Sequence, residues 1–298
     1  MSISEVALMQ TMTGQLTAQQ NSLAQLEEQM ASGQALNQPS DNPAAVTQVL
    51  SFSAQASQLS SWQSNSELAS SWLGTANSTA NSVLGSMQTA QSLLLQAANQ
   101  GVQSATTYEA LGNQLKGVIS NLLALSNTQF GGRALFAGTS ASAQAYDATG
   151  NYLGNSDVPT TVIGPGAGAG QTVGLSVAGT SMFGVGASNV FATLSTAVTA
   201  LLSGSPSLTQ ITTASGALAS NITTAQQASA VLGESSQQVT SLAATLTTQL
   251  ASIQTSQANL ENVNVATATT QLATENANYQ AALWATTQTL PETLVKFL

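Results

Sequence analysis

The chain has 298 residues, of which 43% are hydrophobic and only 5% are charged, with 12 acidic and 3 basic side chains and a formal net charge of −9. This length suffices for one large domain or for two to three small ones. Three basic residues cannot neutralise a phosphate backbone, which excludes nucleic acid as a partner. An anionic membrane surface is disfavoured for the same reason.

Cysteine and histidine are both absent. Without Cys there is no disulfide, iron–sulfur cluster or thiol nucleophile, and without His the commonest general base and neutral metal ligand are missing. Most of the polar residues are the neutral Ser, Thr, Gln and Asn. This composition predicts a protein whose faces are covered by copies of itself, and therefore a homo-oligomer.

The first ten residues lack a basic segment followed by an apolar one, so the sequence predicts no cleaved secretory signal. No run approaches the roughly 18 apolar residues that a membrane-spanning helix needs. We therefore expect a soluble protein without membrane insertion, which stays inside the cell or leaves it by a route that reads no cleaved signal.

A seam of apolar residues begins near the N-terminus. It advances in alternating steps of three and four residues, with Gln19 at the one position that lacks an apolar residue, and this is the spacing of a helix that packs lengthwise on another helix. Its members are Met9, Met12, Leu16, Leu23, Leu26 and Met30. The segment is rich in Gln, Ser and Thr, so we expect it to be a weak helix that needs a partner.

A joint follows this seam. Gly33 accepts the left-handed backbone that closes a helix, and Pro39 predicts a short non-helical segment. Asn42 can cap the first turn of the next helix, and Pro43 suits the first helical position, where its missing N–H would be unpaired anyway. The four residues predict a helix end, a hinge and a helix start.

Two helices are predicted between this joint and residue 127. The first starts at Pro43 and ends near residues 99–101. Its expected buried positions are Val46, Val49, Leu59, Trp62, Leu73, Val83, Leu84, Met87 and Leu94. The second carries an uninterrupted ladder of Tyr108, Leu111, Leu115, Val118, Leu122 and Leu125. We expect Trp72 and Trp284, like Trp62, to pack in the core or between subunits.

A tight, glycine-containing segment covers residues 127–139. Its characteristic residues are Phe130, Gly132, Arg133, Phe136 and Gly138. Arg133 is the only Arg of the chain. We expect it to lock this turn by pairing with a carboxylate or with backbone carbonyls.

Helical periodicity disappears between residues 141 and 186, where glycine becomes dense. Turn signals separate β-prone pieces at 151–153, 160–163 and 172–177, and residues 164–170 form a glycine-rich loop. This region is therefore predicted to be a small β-rich insertion.

Helix is predicted again at residues 188–202, with one stripe formed by Val190, Phe191, Leu194, Val198 and Leu201. A very long seam then starts at Leu208 and slips in phase near Leu260. Its last part consists of Val265, Leu272, Tyr279, Leu283 and Leu290.

The element order predicts a mainly α fold, an elongated rod of long antiparallel helices with a small central β-rich insertion. The two terminal seams lack other partners, so we expect them to pair as a coiled-coil domain of residues 1–38 and 256–298. Residues 39–140 and 187–255 would form a helical core domain, and residues 141–186 an outer domain. A rod has a small core for its size and would gain burial by packing beside other rods.

The sequence offers no catalytic constellation. A Ser-His-Asp triad is impossible without His, and neither Lys116 nor Lys296 lies near a nucleophile elbow. Glu27 and Glu28 are adjacent and predict a solvated patch. Residues 147–157 suit a hairpin turn; the alternative, a Ca²⁺ loop, lacks the spacing and terminal Glu of an EF-hand. We predict no enzyme activity, no cofactor and no metal site.

Three segments of the sequence are recognisable as signatures. The first reads SG at 32–33, LN at 36–37 and PSDNPAA at 39–45. The second reads NTQF at 127–130, GR at 132–133 and LFAGT at 135–139, and the third YQAAL at 279–283, LP at 290–291 and TLVKFL at 293–298. These segments resemble the flagellin-like proteins of the bacterial flagellum. Filament members usually have Asn-Gly where this chain has Gly131-Gly132, and they end in a Leu-Ser-Leu-Leu-like tail. The second and third segments therefore resemble the hook–filament junction members.

This resemblance implies a structural protein of the extracellular flagellum, exported unfolded through the flagellar type III apparatus. It implies that the termini line a central channel as a coiled coil, with the helical core as tube wall and the insertion facing outward. The implied partners are copies of the chain, the hook protein or a second junction protein, flagellin, and a cytoplasmic export chaperone at the C-terminal helix, residues 258–298.

Two alternatives stay open at this point. A short filament flagellin would share the fold and differ in copy number. A secreted helical translocator that inserts into host membranes would belong to a different class, and the lack of any long apolar segment disfavours it.

Overall fold

The computed structural model describes residues 3–99, 104–166, 170–203 and 206–289. Its α-helices are α1 (Ile3–Ser32), α2 (Pro43–Ala98), α3 (Ala105–Ser126), α4 (Gly179–Phe183), α5 (Val190–Leu202), α6 (Leu208–Glu261) and α7 (Val265–Thr289). Two antiparallel pairs are formed by β1 (Gln129–Phe130) with β2 (Arg133–Ala134) and by β3 (Thr160–Gly164) with β4 (Gln171–Gly174). The fold is mainly α with little strand, as predicted.

The chain divides into two compact units. The terminal unit comprises Met1–Gln58 and Gln249–Leu298, and the central unit comprises Leu59–Thr248. The helices α2 and α6 contribute residues to both. The division into three domains at residues 38, 140, 186 and 255 stays a prediction.

The hydrophobic core lies in the central unit. All five residues of the predicted α5 stripe are buried, as are Leu111, Leu115 and Leu122 of α3. The two helices pack against each other so closely at Gly112 that an added Cβ would lie 2.8 Å from Cδ2 of Leu202. A small residue at this position therefore sets the distance between α3 and α5.

The predicted buried positions of α2 are covered to different depths. Fully buried are Leu59, Leu73, Val83, Met87 and Leu94. Only half-buried are Val46, Val49, Trp62 and Leu84. Periodicity identifies the face that packs, whereas the depth of burial depends on how much the neighbouring elements cover.

The β3–β4 hairpin is held against the helices of the central unit. The side-chain amide of Asn65, on α2, donates to the carbonyl oxygen of Val162 at 2.8 Å. Gly164, at the end of β3, lies so near α6 that an added Cβ would be 2.9 Å from Cδ2 of Leu242. The predicted loop at 164–170 joins these strands, and its residues 167–169 lie outside the described residues.

Five aromatic rings form a cluster. Four of them belong to the chain segment that joins α3 to α5, and the fifth lies at the start of α5. Neighbouring ring centroids are 5.0 to 5.6 Å apart, a normal distance for offset or edge-on aromatic pairs. The rings belong to Phe136, Tyr146, Tyr152, Phe183 and Phe191. This cluster stabilises a region that has little regular secondary structure.

The predicted strand at residues 151–153 is wrong. Only Tyr152 pairs there, in an isolated bridge with Tyr146. The predicted strand at 172–177 is shorter, because β4 ends at Gly174. The prediction also missed α4, whose Met182 and Phe183 are fully buried. A five-residue helix is too short for periodicity to reveal, and tertiary packing stabilises it.

Candidate assembly site

The helices α1 and α7 pack against each other within the terminal unit. Gln20 donates its side-chain amide hydrogen to the hydroxyl of Tyr279 at 2.6 Å. Further toward the C-terminus of the first segment, Gln34 pairs with Asn262, which precedes Tyr279 in the chain. The two helices therefore run antiparallel. The two terminal seams are thus close together in a single copy of the chain, as their lack of other partners predicts.

The pairing of α1 and α7 buries the two seams only in part. Met12, Leu16, Leu23, Leu26 and Met30 of α1 are half-buried. On α7, Leu272 and Tyr279 are also half-buried. Leu290 lies outside the described residues.

Among the residues that the structure describes in α1 and α7, four large apolar side chains are exposed. The exposed fractions are 42% for Met9, 58% for Val265, 40% for Leu283 and 68% for Trp284. Trp284 therefore does not pack in the core of a single chain. Together with the half-buried seams, these side chains leave apolar surface on the α1–α7 pair that another protein surface can cover.

The joint after α1 has the conformation that its residues predict. α1 ends at Ser32, and Gly33 has a φ of 72°. The side-chain oxygen of Asn42 accepts a hydrogen bond from the N–H of Ala45 at 3.0 Å, and α2 begins at Pro43. Pro39 lies in the non-helical segment between the two helices. The role of these residues as a hinge stays a prediction.

A second helix break faces this joint. α6 ends at Glu261 and α7 begins at Val265. The N–H of Ala35 donates to the carbonyl oxygen of Glu261 at 2.6 Å, and the N–H of Val263 donates to that of Gly33 at 3.0 Å. We call this pair of hydrogen bonds, which flank Gln34 and Asn262, the clasp. It joins the two chain segments that lead into the terminal helices.

Asp41 shapes the same joint. One of its carboxylate oxygens accepts hydrogen bonds from the N–H groups of Asn37 at 3.0 Å and Gln38 at 2.8 Å. The amide of Gln29, on α1, donates to the carbonyl oxygen of Ala35 at 3.0 Å. The sequence predicts the joint after α1 and the phase slip near Leu260, but not that the two segments bind each other.

The tight segment after α3 forms a two-residue hairpin. Phe130 pairs with Arg133, and the residues between them, Gly131 and Gly132, have φ values of 59° and 80°. Positive φ at both central residues is what a type I′ turn requires, and glycine adopts it without steric cost. Phe130 packs on the ring of Trp72 at 5.1 Å between centroids. The hairpin is therefore anchored to α2.

Of the remaining characteristic residues of this segment, Phe136 and Gly138 are buried, whereas Arg133 is not. Phe136 is fully buried, and Gly138 has a φ of 69° in a position where an added Cβ would be 2.3 Å from Oδ1 of Asn155. Arg133 is exposed, and within the described residues its guanidinium has no hydrogen bond or ion pair. The expectation that Arg133 locks the turn is therefore wrong; the glycines and backbone pairing determine its geometry.

The oxygen-rich loop after Tyr146 is a turn built on one carboxylate. Oδ1 of Asp147 accepts hydrogen bonds from the N–H of Thr149 at 2.9 Å, its hydroxyl at 2.7 Å, and the N–H of Asn151 at 2.9 Å, while Oδ2 accepts one from the Asn151 amide at 3.0 Å. The hydrogen bond from the Thr149 hydroxyl has the largest influence on the pKa of Asp147, and the hydrogen bonds from Asn151 come next. Together they hold this pKa well below its usual range. Both oxygens are used by the turn.

Three further observations concern metal ligands, an acidic patch and membrane-spanning helices. Within the described ranges, no group of three or more His, Cys, Asp or Glu side chains is arranged to hold a metal ion. Glu27 and Glu28 are both exposed on α1, in line with the predicted solvated patch. Among the residues described, no helix combines the length and apolarity needed to cross a bilayer.

Part of the sequence and most of the fold have counterparts among known proteins. Residues 3–141 match the family model of the bacterial flagellin N-terminal helical region. A comparison with curated protein sequences gave no significant match.

Solved structures of flagellar proteins share the fold. One, from Vibrio parahaemolyticus and assigned as a flagellar hook-associated protein, has a TM-score of 0.68 at 18% identity and aligns over 74% of this chain and 100% of its own. FlgL of Bacillus cereus has a TM-score of 0.59 at 18% identity, over 70% of this chain and 99% of its own. The fold of this chain is thus flagellin-like.

Proposed function

We propose that the chain is a structural component of the bacterial flagellum and forms the junction between hook and filament, in the manner of hook-associated protein 3. The observation that carries this proposal is the flagellin-like fold, with its two chain ends packed side by side as α1 and α7. The resemblance of the segments at 127–139 and 279–298 to the junction members favours the junction over the filament.

Self-assembly is proposed to occur through the terminal helices. Met9, Val265, Leu283 and Trp284 expose apolar surface on this pair, and burial of such surface is the main driving force of protein association. In the assembly, residues 1–38 and 256–298 would line a central channel, residues 39–140 and 187–255 would form the wall, and residues 141–186 would face outward.

The proposed partners follow from this location. They are further copies of the chain, the hook protein or a second junction protein on one side, and flagellin on the other. Export would proceed through the flagellar type III apparatus to the extracellular flagellum, with a cytoplasmic chaperone covering the C-terminal helix before export. The exposed Trp284 gives such a chaperone an apolar anchor.

The junction role is tested by deleting the gene in its bacterium and imaging the cells by electron microscopy. We expect hooks without filaments, together with flagellin shed into the medium. Restoring the intact gene should restore filaments. Normal filaments in the deletion strain would refute the junction role.

A short filament flagellin is the second candidate, because the family match is to the flagellin N-terminal region itself. The two functions differ in copy number. If the purified chain alone grew micrometre-long filaments, the filament function would replace the junction function.

A further inference from the structure

Positive charge is scarce on this protein. Three basic residues oppose twelve acidic ones, and each copy carries a net charge of −9. Copies packed side by side therefore repel one another, and exposed cations at the contacts would offset that repulsion. Lys116 and Arg133 are exposed, and Lys296 lies outside the described residues.

Of these cations, Arg133 lies in a hairpin with a defined backbone conformation. It directly follows the type I′ turn at Gly131 and Gly132 and pairs with Phe130. Beyond the hairpin, the N–H of Leu135 donates to the carbonyl oxygen of Thr128 at 2.9 Å. The backbone that carries the side chain is thus fixed, so only the rotamers of Arg133 itself need to be ordered when the guanidinium binds a partner.

The guanidinium itself is uncommitted. No ion pair or hydrogen bond within the described residues uses it, although it presents five N–H donors in a planar fork. That fork matches the two oxygens of a carboxylate, with which Arg forms short bidentate pairs. A Lys ammonium binds as a point charge and lacks this geometry.

We propose that Arg133 binds a carboxylate of a second copy of this chain, and so forms a specific contact between neighbouring subunits. The inference rests on the proposed self-assembly and adds the group that each subunit presents. The acceptor is one of four exposed carboxylates of the central unit. These are Glu67, Glu109, Asp157 and Glu234.

The test uses the full-length gene in the deletion strain, with filaments per cell counted by electron microscopy. Arg133→Glu should lower the filament count by about tenfold or more, since it places two carboxylates opposite each other. Arg133→Lys should lose less than Arg133→Gln, because the charge is kept. Lys116→Gln, which removes the other exposed cation, is the matched control and should leave the count unchanged.

The decisive arm combines Arg133→Glu with a reversal to Arg at each of the four carboxylates in turn. One of these reversals should restore filaments, because it rebuilds the pair with exchanged charges. Secretion of each variant into the medium and an unchanged thermal unfolding midpoint would show that export and folding are intact.

Three outcomes would overturn the proposal. Wild-type filament counts with Arg133→Glu would mean that the guanidinium has no role in assembly. If none of the four reversals restored the filaments lost with Arg133→Glu, Arg133 would bind a different protein. Filaments that do not depend on the gene at all would refute the proposed function itself, and with it this contact.

Discussion

At the scale of single residues, asparagine side chains hold the loops of the central unit together. Oδ1 of Asn127 accepts hydrogen bonds from the N–H groups of Ala145 and Tyr146 at 2.8 and 2.9 Å. Nδ2 of Asn189 donates to the carbonyl oxygen of Gly150 at 3.0 Å. An amide donates and accepts without carrying charge, so a chain with few ions can still satisfy its buried backbone groups.

Tyr146 is an exception to this satisfaction. Its hydroxyl oxygen is buried without a hydrogen-bond partner, and burial raises the pKa of the phenol. We predict that Tyr146→Phe raises the free energy of unfolding by about 1 kcal/mol, because it removes an unpaired buried polar group and keeps the ring. Urea unfolding at neutral pH measures this difference.

Tyr152→Phe is the matched control for that measurement. The Tyr152 hydroxyl lies 2.9 Å from the carbonyl oxygen of Phe136 and 2.6 Å from that of Asn155. Its removal should lower the free energy of unfolding by about 1 kcal/mol, since a made hydrogen bond is lost. Equal effects of the two substitutions would contradict the difference that the structure shows.

Asp147 gives a prediction about pH. Its pKa is lowered in the folded protein from an ordinary value of 3.8, chiefly by the Thr149 hydroxyl. The stability that it contributes is therefore present above pH 3.8 and is lost as the pH falls toward the lower folded value. We expect Asp147→Asn to lower the thermal midpoint at pH 7 and to make less difference at pH 2.

Thr149→Val should reproduce part of the Asp147 effect, because it removes the donor with the largest influence on this carboxylate. If the thermal midpoints of the wild type and Asp147→Asn differed by the same amount at pH 7 and pH 2, the turn would not stabilise the carboxylate.

At the scale of elements, the terminal helices are connected to the rest of the chain by two helix breaks that lie side by side. The segment after α1 and the segment before α7 both leave helical geometry, and the clasp binds them to each other at Gln34 and Asn262. A bend at Gly33 alone would break the clasp. We therefore expect α1 and α7 to move together, with their relative register kept.

A disulfide tests the clasp, since the chain has no cysteine of its own. Gln34 and Asn262 face each other as a non-hydrogen-bonded antiparallel pair, for which the Cα atoms lie about 4.5 Å apart, within the range that disulfides span. We predict that Gln34→Cys with Asn262→Cys oxidises fully in the folded protein. Gel mobility without reductant measures the product.

Gln34→Cys with Val263→Cys is the control pair for the clasp. Neighbouring residues of an extended segment point to opposite sides, so this pair should oxidise far more slowly. Similar rates for both pairs would mean that the two segments are not held in register.

At the scale of the whole molecule, the two units differ in how much of their apolar surface is covered. The α5 stripe of the central unit is buried, whereas the seams of α1 and α7 are half-buried and Met9, Val265 and Leu283 are exposed. Helices without a buried face depend on propensity, which is weak for chains rich in Gln, Ser and Thr. The terminal helices should therefore be the less stable part of a single copy.

Hydrogen exchange in dilute protein tests this difference. We predict that amides of α1 between residues 9 and 30, and of α7, exchange at least about tenfold faster than those of α3 and α5, because local opening there exposes little buried surface. In assembled flagella the same amides should become protected. Uniform protection of all four helices in the monomer would contradict assembly-dependent ordering.

The joint shows how far sequence reasoning reaches. Gly33, Asn42 and Pro43 act on their immediate neighbours, so their conformations could be predicted. The phase slip near Leu260 located the second break but not its partner. The clasp joins residues more than two hundred positions apart through backbone groups that every residue carries, so no residue type signals it.

The sequence by itself determined the long helices and their order, because apolar spacing and capping residues act over a few neighbours. Its three contiguous signature segments carry the resemblance to flagellin-like proteins. Tertiary structure alone decided which of these residues are covered. It buried Trp72 and left Trp284 exposed, formed α4 by packing, and freed Arg133 from the turn it was expected to lock. Burial and pairing depend on groups far away in the chain, which local patterns do not specify.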